Sequence, residues 1–195
     1  MLPQYSIALP VTTEPVTLDE VTAHLRVDSS DDLDYISMLI SVAREYVENL
    51  SGWSLGYSNW TLTAENWESI SRNKLGEIPL MRAPVSTVSS VKYYAPDSTE
   101  LTTLATTEYR VITAARQAVI QIHGDIPSLE DRPDAIQIAF TAGDDCQTPL
   151  TLKHAVKMMV TKLYEDREGK EGSKSYEFPH RMRALIEQNR IGGWS

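Results

Sequence analysis

The side chains of this 195-residue sequence that could do chemistry are four histidines, one cysteine and two adjacent aspartate pairs. Their spacing argues against chemistry. His24, His123, His154 and His180 are scattered, with no two at metal-ligand spacing on one element. Neither a His-Glu-x-x-His segment nor a paired-cysteine segment exists, so no structural or catalytic zinc is expected. Asp31-Asp32 and Asp144-Asp145 stand beside Ser or Gly, where adjacent acids serve as caps and turns. The one catalytic route open to them is hydrolysis on a divalent metal held by Asp144, Asp145 and Asp31, and a metal-dependent shift in melting temperature would reveal such a site. Cys146 has no histidine near it in sequence and reads as a passenger thiol in a loop. The nucleophile elbow, the phosphate-cradling P-loop and the dinucleotide fingerprint are all missing. The expectation is a structural or interaction protein with no catalytic residue, no cofactor and no bound metal.

Composition narrows the partners. Apolar residues make up 42% and charged residues 23% of the chain, ordinary values for a globular protein with a real core. No run approaches the roughly 18 apolar residues of a membrane span. No export leader is expected, because the first residues lack a basic-then-apolar pattern. A single cysteine excludes an internal disulfide and fits synthesis in a reducing cytoplasm. The net charge of −9 argues against a surface that grips nucleic-acid phosphates. Charge is also uneven: residues 1–48 hold nine acids against Arg26 and Arg44, whereas residues 149–195 hold nine Lys or Arg against six acids. Such asymmetry is either a solvated surface or a sign that unlike ends meet between copies, head to tail.

The elements that would position any site are legible from periodicity. Thr17 followed by Glu20 is a capping box for a short helix through Leu25. Ser29 and Ser30 offer a second N-cap, and Asp31, Asp32 and Asp34 favour the positive end of the next helix. Ile36, Leu39, Ile40, Ala43, Val47 and Leu50 then make an apolar stripe about five turns long, closed by Ser51-Gly52. Beyond Gly52 the pattern alternates. Trp60–Ala64, Ile78–Leu80, Val85–Tyr94, Leu101–Leu104, Tyr109–Ile112, Ala118–Ile122 and Ala135–Phe140 read as short strands of a small antiparallel sheet, with Pro79 placing its segment at an edge. Thr148 as N-cap and Pro149 at the first helical position open a second long helix, with Leu152, Ala155, Val156, Met159, Val160 and Leu163 on one face. Glu165-Asp166-Arg167-Glu168 reads as a solvated helix end with local ion pairs. Residues 169–175 are a polar linker, and Pro179 starts a last helix carrying Met182, Leu185 and Ile186.

The expected class is therefore α+β. A helical bundle forms from residues 15–52 and 148–188, with a small antiparallel β subdomain inserted at 57–141 and a flexible tail at 189–195. The whole chain is one domain. Ile36, Leu39, Ile40 and Val47 should pack against Val156, Met159 and Leu163, because the two long stripes can be buried only by each other.

In order along the chain, several of these segments resemble the head–tail connector proteins (adaptor or head-completion proteins) of long-tailed bacteriophages and gene transfer agents. "PVTLDEVTAHLRVD" and "LISVAREYVENLSG" match the family's capped start and its Ala-basic-x-x-aliphatic-Glu helix. "IPLMRAPVSTVSSVKYY" matches its Leu-Pro-x-x-Pro-Val strand, with the Leu-Pro order inverted. "FTAGDDCQTPLTLKHAVKMMVTKLYEDREG" matches its Ala-Gly to Tyr-x-x-Arg helix, and "RIGGWS" falls where the family ends in a short tail. The matching pieces cover about two thirds of the chain, and their order is more specific than any one of them.

The resemblance implies a virion protein at the capsid–tail junction, made in the host bacterial cytoplasm. It would form a homo-oligomeric ring, usually dodecameric, beneath the portal protein. The ring would extend a channel through which DNA passes without sequence-specific binding, and would present a surface to a stopper or tail-completion protein. A tail-completion ring is the alternative within the same class. Arg190, Ile191, Gly192, Gly193 and Trp194 would form the portal-binding tail: one charge, one aliphatic contact and one aromatic anchor on a glycine-loosened backbone.

Overall fold

The computed structural model describes residues 3–9, 11, 13–72, 76–113, 117–123, 125–143, 148–167 and 180–192. Cys146, Asp144, Asp145, the 169–175 linker, Pro179, Gly193 and Trp194 lie outside them.

Helix α1 (Leu18–Leu25) begins with the capping box. Glu20 N donates to Thr17 Oγ1 at 3.2 Å, and Thr17 N donates to Glu20 Oε2 at 3.1 Å. Helix α2 (Leu33–Ser51) starts from Asp32 rather than from either serine, and the Asp32 side chain makes no capping bond. Ser29 instead turns its hydroxyl to Asp31 N at 3.2 Å, tightening the elbow before the helix. Gly52 closes α2 in the left-handed region at φ 76°, a conformation glycine adopts without Cβ strain. Helix α4 (Leu150–Glu165) begins one residue later than the Thr–Pro pattern suggests. Pro149 is extended and serves as N-cap, its carbonyl accepting from Leu152 N and Lys153 N. Helix α5 (His180–Asn189) follows the 168–179 interval. A one-turn helix, α3 (Trp67–Ile70), capped by Asn66, was not signalled by periodicity because a single turn has none.

The two long stripes meet. Ile36, Leu39, Ile40, Ala43 and Val47 of α2 share one buried cluster with Leu152, Ala155, Val156, Met159 and Val160 of α4. Met182 and Ile186 of α5 and Val21 of α1 complete it, and Leu163 packs at its margin. Leu50 does not join and stays 42% exposed, because it faces away at the last turn of α2. Tertiary contacts hold the end of α4. Arg167 Nη2 lies 2.7 Å from Asp32 Oδ2. Its guanidinium also sits over the rings of Tyr35 and Tyr164 at 4.7 and 4.5 Å, and Tyr164 donates its hydroxyl to Asp32 at 2.6 Å.

The strands form two antiparallel sheets rather than one. The larger contains β1 (Gln4–Leu9), β2 (Ser58–Ala64), β4 (Val85–Tyr94), β5 (Leu101–Thr103) and β8 (Ile136–Ala142), in the order β1-β2-β8-β4-β5. The smaller contains β3 (Glu77–Pro79), β6 (Tyr109–Ile112) and β7 (Val119–Ile122), in the order β3-β7-β6. Pro79 stands on an edge strand, where its missing amide breaks no ladder. Register sets the faces: Trp60 opposes Phe140, Leu62 opposes Ile138, and Val91 opposes Ile138 from the other side. These residues and Ile78, Ile120 and Ile122 of the smaller sheet form a second buried cluster. β1 precedes the helices yet pairs with β2, so the larger sheet draws on both sides of the α1–α2 segment.

The two halves join through main chain. Trp53 bridges Ala83, Ser54 N donates to Ala83 O at 2.8 Å, and Gly143 N donates to Pro84 O at 2.9 Å. A Cβ on Gly143 would land on the Gly56 carbonyl, and one on Gly56 would strike Val11 and the Thr13 carbonyl.

Candidate functional site: the anchor of the C-terminal segment

Of the five residues expected to form the tail, Arg190, Ile191 and Gly192 are described. They are not loose. Ile191 is only 8% exposed and belongs to the helical core. Its amide donates to Ser51 O at 2.9 Å, capping a carbonyl left open at the end of α2. The approach is close because position 52 has no side chain: a Cβ there would lie 3.3 Å from Ile191 Cβ. Asn189 is buried as well, donating from Nδ2 to Thr151 Oγ1 at 2.8 Å and to Leu185 O at 2.9 Å. Trp53 Nε1 donates to Asn189 O at 2.7 Å. Arg190 points outward, 3.6 Å from Glu187 of the same helix. The expectation of a tail free from residue 189 is thus corrected for Asn189 and Ile191, whose side chains are buried inside the subunit. Gly192 is exposed, and a Cβ there would meet nothing within 4 Å.

A cleft of about 310 Å³ opens beside Gly192. Its walls include Tyr5, Asn49, Leu50, Arg82, Arg190 and Gly192. Arg82 Nη1 donates to Glu48 O at 3.2 Å, its guanidinium lies 4.4 Å over the Trp60 ring, and its buried Nε has no partner. Burial draws the Arg82 guanidinium below its usual pKa, against the opposing pull of Glu48. Met81 N donates to the Tyr5 hydroxyl at 3.0 Å, and burial pushes the Tyr5 phenol up to about 12.

Behind this wall lies a buried ionic chain. Arg44 donates from Nη1 to Glu48 at 2.8 Å and from Nε to Glu14 at 2.9 Å, and Ser41 donates to Glu14 at 2.7 Å. Leu55 N donates to Glu48 Oε1 at 2.7 Å. Burial raises the Glu48 carboxyl above its ordinary range, and Arg44 opposes the shift. Every partner is a fixed structural group, so the network positions the α2–β2 connection rather than offering a base or nucleophile.

Asp32 is committed to Tyr164 and Arg167, and hydrogen bonding from Arg167 lowers its pKa. Asp31 is exposed. Among the described residues, no group of three or more His, Cys, Asp or Glu could hold a metal ion. The fold does bring His24 and His154 together, with ring centroids 6.1 Å apart, a proximity their 130-residue separation hides. Sequence reasoning also missed Arg82, Trp53 and Asn189. A tryptophan directly after the helix-ending glycine was the available signal for Trp53.

Comparison with known proteins gives the family of the chain. The pattern of the family described as "Phage gp6-like head-tail connector protein" matches residues 15–190. The chain belongs to this family. Its role is therefore that of a structural head–tail connector of the virion. Among solved structures it is similar to a chain of the neck of an empty gene transfer agent particle, computed with C6 symmetry. That match has a TM-score of 0.76 and 21% identity, and covers 98% of this chain and 100% of the other. A chain from the virion of a native gene transfer agent particle matches at TM-score 0.72 and 20% identity, over 98% and 99%. A chain from the native neck computed with C12 symmetry matches at 0.67 and 22%, over 98% and 100%. No curated protein matches. At these identities the solved structures establish the shared fold, and the family match establishes the connector.

Proposed function

We propose that this connector acts as a ring, dodecameric as the resemblance implies, seated beneath the portal protein. The ring extends the DNA channel and carries the docking surface for a stopper or tail-completion protein. The observation that carries this reading is the family match over residues 15–190, supported by likeness to a neck chain from a particle treated with C12 symmetry. Net charge of −9 suits a conduit that must pass DNA without holding it. The protein needs no catalytic group for this work.

The portal contact falls to residues 192–195, with Arg190 at their root, since Ile191 is already buried in the subunit. Trp194 supplies the aromatic anchor, and repetition around the ring multiplies a weak single contact by avidity. Co-sedimentation of the purified chain with portal rings tests the reading. Full-length protein should pellet with the portal and be seen as rings by negative stain. A chain ending at Gly192 should stay soluble at an unchanged melting temperature. Equal binding by both forms would move the portal contact to the helical body.

A further inference from the structure

The outward face of α2 is unusual for a surface helix in an acidic chain. Met38 and Val42, one turn apart, are 53% and 45% exposed at its centre. Asp34 and Glu45 flank them on the same face, and the only base of α2, Arg44, is turned inward, paired with Glu48 and reaching exposed Glu45 only at 3.7 Å. Met38 and Val42 are neighbours at i and i+4, so they form one contiguous apolar strip rather than scattered residues. On α5 the sign reverses. Arg181 and Arg183 are exposed and flank the outer face of α5, opposite buried Met182, Ile186 and Asn189, with one acid, Glu187, on the face between them. Neither forms an ion pair within 4 Å with any described residue. In a chain with 27 acids and 18 Lys or Arg, cations are outnumbered. Arg181 and Arg183 are then cations without a described acid partner, Arg183 lying near enough to α2 for its charge to act on the Tyr46 phenol.

Resting on the ring reading above, we infer that the α2 face of one copy, Asp34–Met38–Val42–Glu45, docks on the Arg181–Arg183 face of α5 in the next copy. Charge decides the symmetry. Two α2 faces brought together would oppose like carboxylates, and two α5 faces would oppose like guanidiniums, so both isologous dimers are disfavoured. The unlike pairing is the one that gains, and in the ring proposed above each copy makes it once with either neighbour, the rotation closing the circle. The apolar strip supplies the desolvated centre, and the ion pairs form the rim that fixes register.

The test uses necks isolated from particles that carry variants on a Cys146→Ser background. A chain with both Val42→Cys and Ala184→Cys should give, on mild oxidation, a ladder of disulfide-linked multimers, and each single variant should give none. Micrographs of the same necks provide the independent check. Visible rings without a ladder overturn the pairing of faces and leave the ring standing, whereas necks lacking a ring of this chain overturn both. Dimers from Val42→Cys alone would show an isologous contact and overturn the inference. Charge reversal gives a second readout. Asp34→Lys with Glu45→Lys should lose assembly, as should Arg181→Glu with Arg183→Glu, yet the two variants mixed should assemble. Failure of the mixture, with both variants folded by circular dichroism, overturns the pairing.

Discussion

The indole Nε1 of Trp53 donates to the main-chain carbonyl of Asn189 at 2.7 Å, tying residues 136 positions apart. Trp53 follows the glycine that ends α2, and Asn189 ends α5. The bond therefore fixes the end of the last helix against the end of the first long one.

Replacing Trp53 by Phe keeps most of the apolar contact and removes only this donor. A buried carbonyl left without its partner costs about 1–3 kcal/mol. Urea denaturation of Trp53→Phe should show a loss in that range. A change within error would mean that water takes over the donor's place.

The same anchor separates two truncations. A chain ending at Gly192 should melt with the full-length protein. A chain ending at Gln188 loses Asn189 and Ile191 and should melt several degrees lower. Ile191→Ala alone should cost about 2–3 kcal/mol, as expected for an aliphatic side chain at the margin of a core.

In the helical core, Leu39→Ala should cost roughly 2–5 kcal/mol, because Leu39 is buried between α2 and α4. Leu163, only partly buried, should cost less under the same substitution. Equal losses at both sites would contradict the burial difference.

Gly143 has φ +100°, and any Cβ there meets the Gly56 carbonyl. Gly143→Ala combines backbone strain with a collision against main chain, which cannot swing aside. It should destabilise by more than about 2 kcal/mol, read as a lowered denaturation midpoint. Gly192→Ala, with open space around it, is the control and should be near neutral.

Tyr5 gives an alkaline signature. Its folded pKa is raised from 10.0 to about 12 by burial, so between those values the folded state binds more protons than the unfolded one. Stability must then fall as pH rises through that window. Tyr5→Phe removes this component, and the stability difference between wild type and variant should shrink from pH 10 to 12. A constant difference would mean that Tyr5 titrates normally.

The helical half was legible because its signals are local. Thr17–Glu20, the α2 stripe and Gly52 each sit within a few residues of the feature they specify. The β half was legible as strands from Trp60 onward but not as sheets, and β1, outside the expected 57–141 insertion, was missed. Nothing in Gln4–Leu9 reveals that its partner is Ser58–Ala64, since the pairing depends on a helix–elbow–helix folding out of the way. The division into two sheets is equally non-local. Ile191 misled for a related reason: Gly192 and Gly193 make the neighbourhood read as loose, while the groove that receives Ile191 is created by the absent side chain of Gly52.

Where Gly56 meets Gly143, the two segments that cross between the helical and sheet halves have no side chain between them. Segments that cross between the halves touch there through peptide groups, whose planes and hydrogen bonds resist bending more than a repacking interface does. A subunit joined in this way tilts as one piece. In a closed ring of such pieces, any change in the width of the central passage must come from rotation at the contacts between neighbours, like the blades of an iris, and not from flexing within a blade.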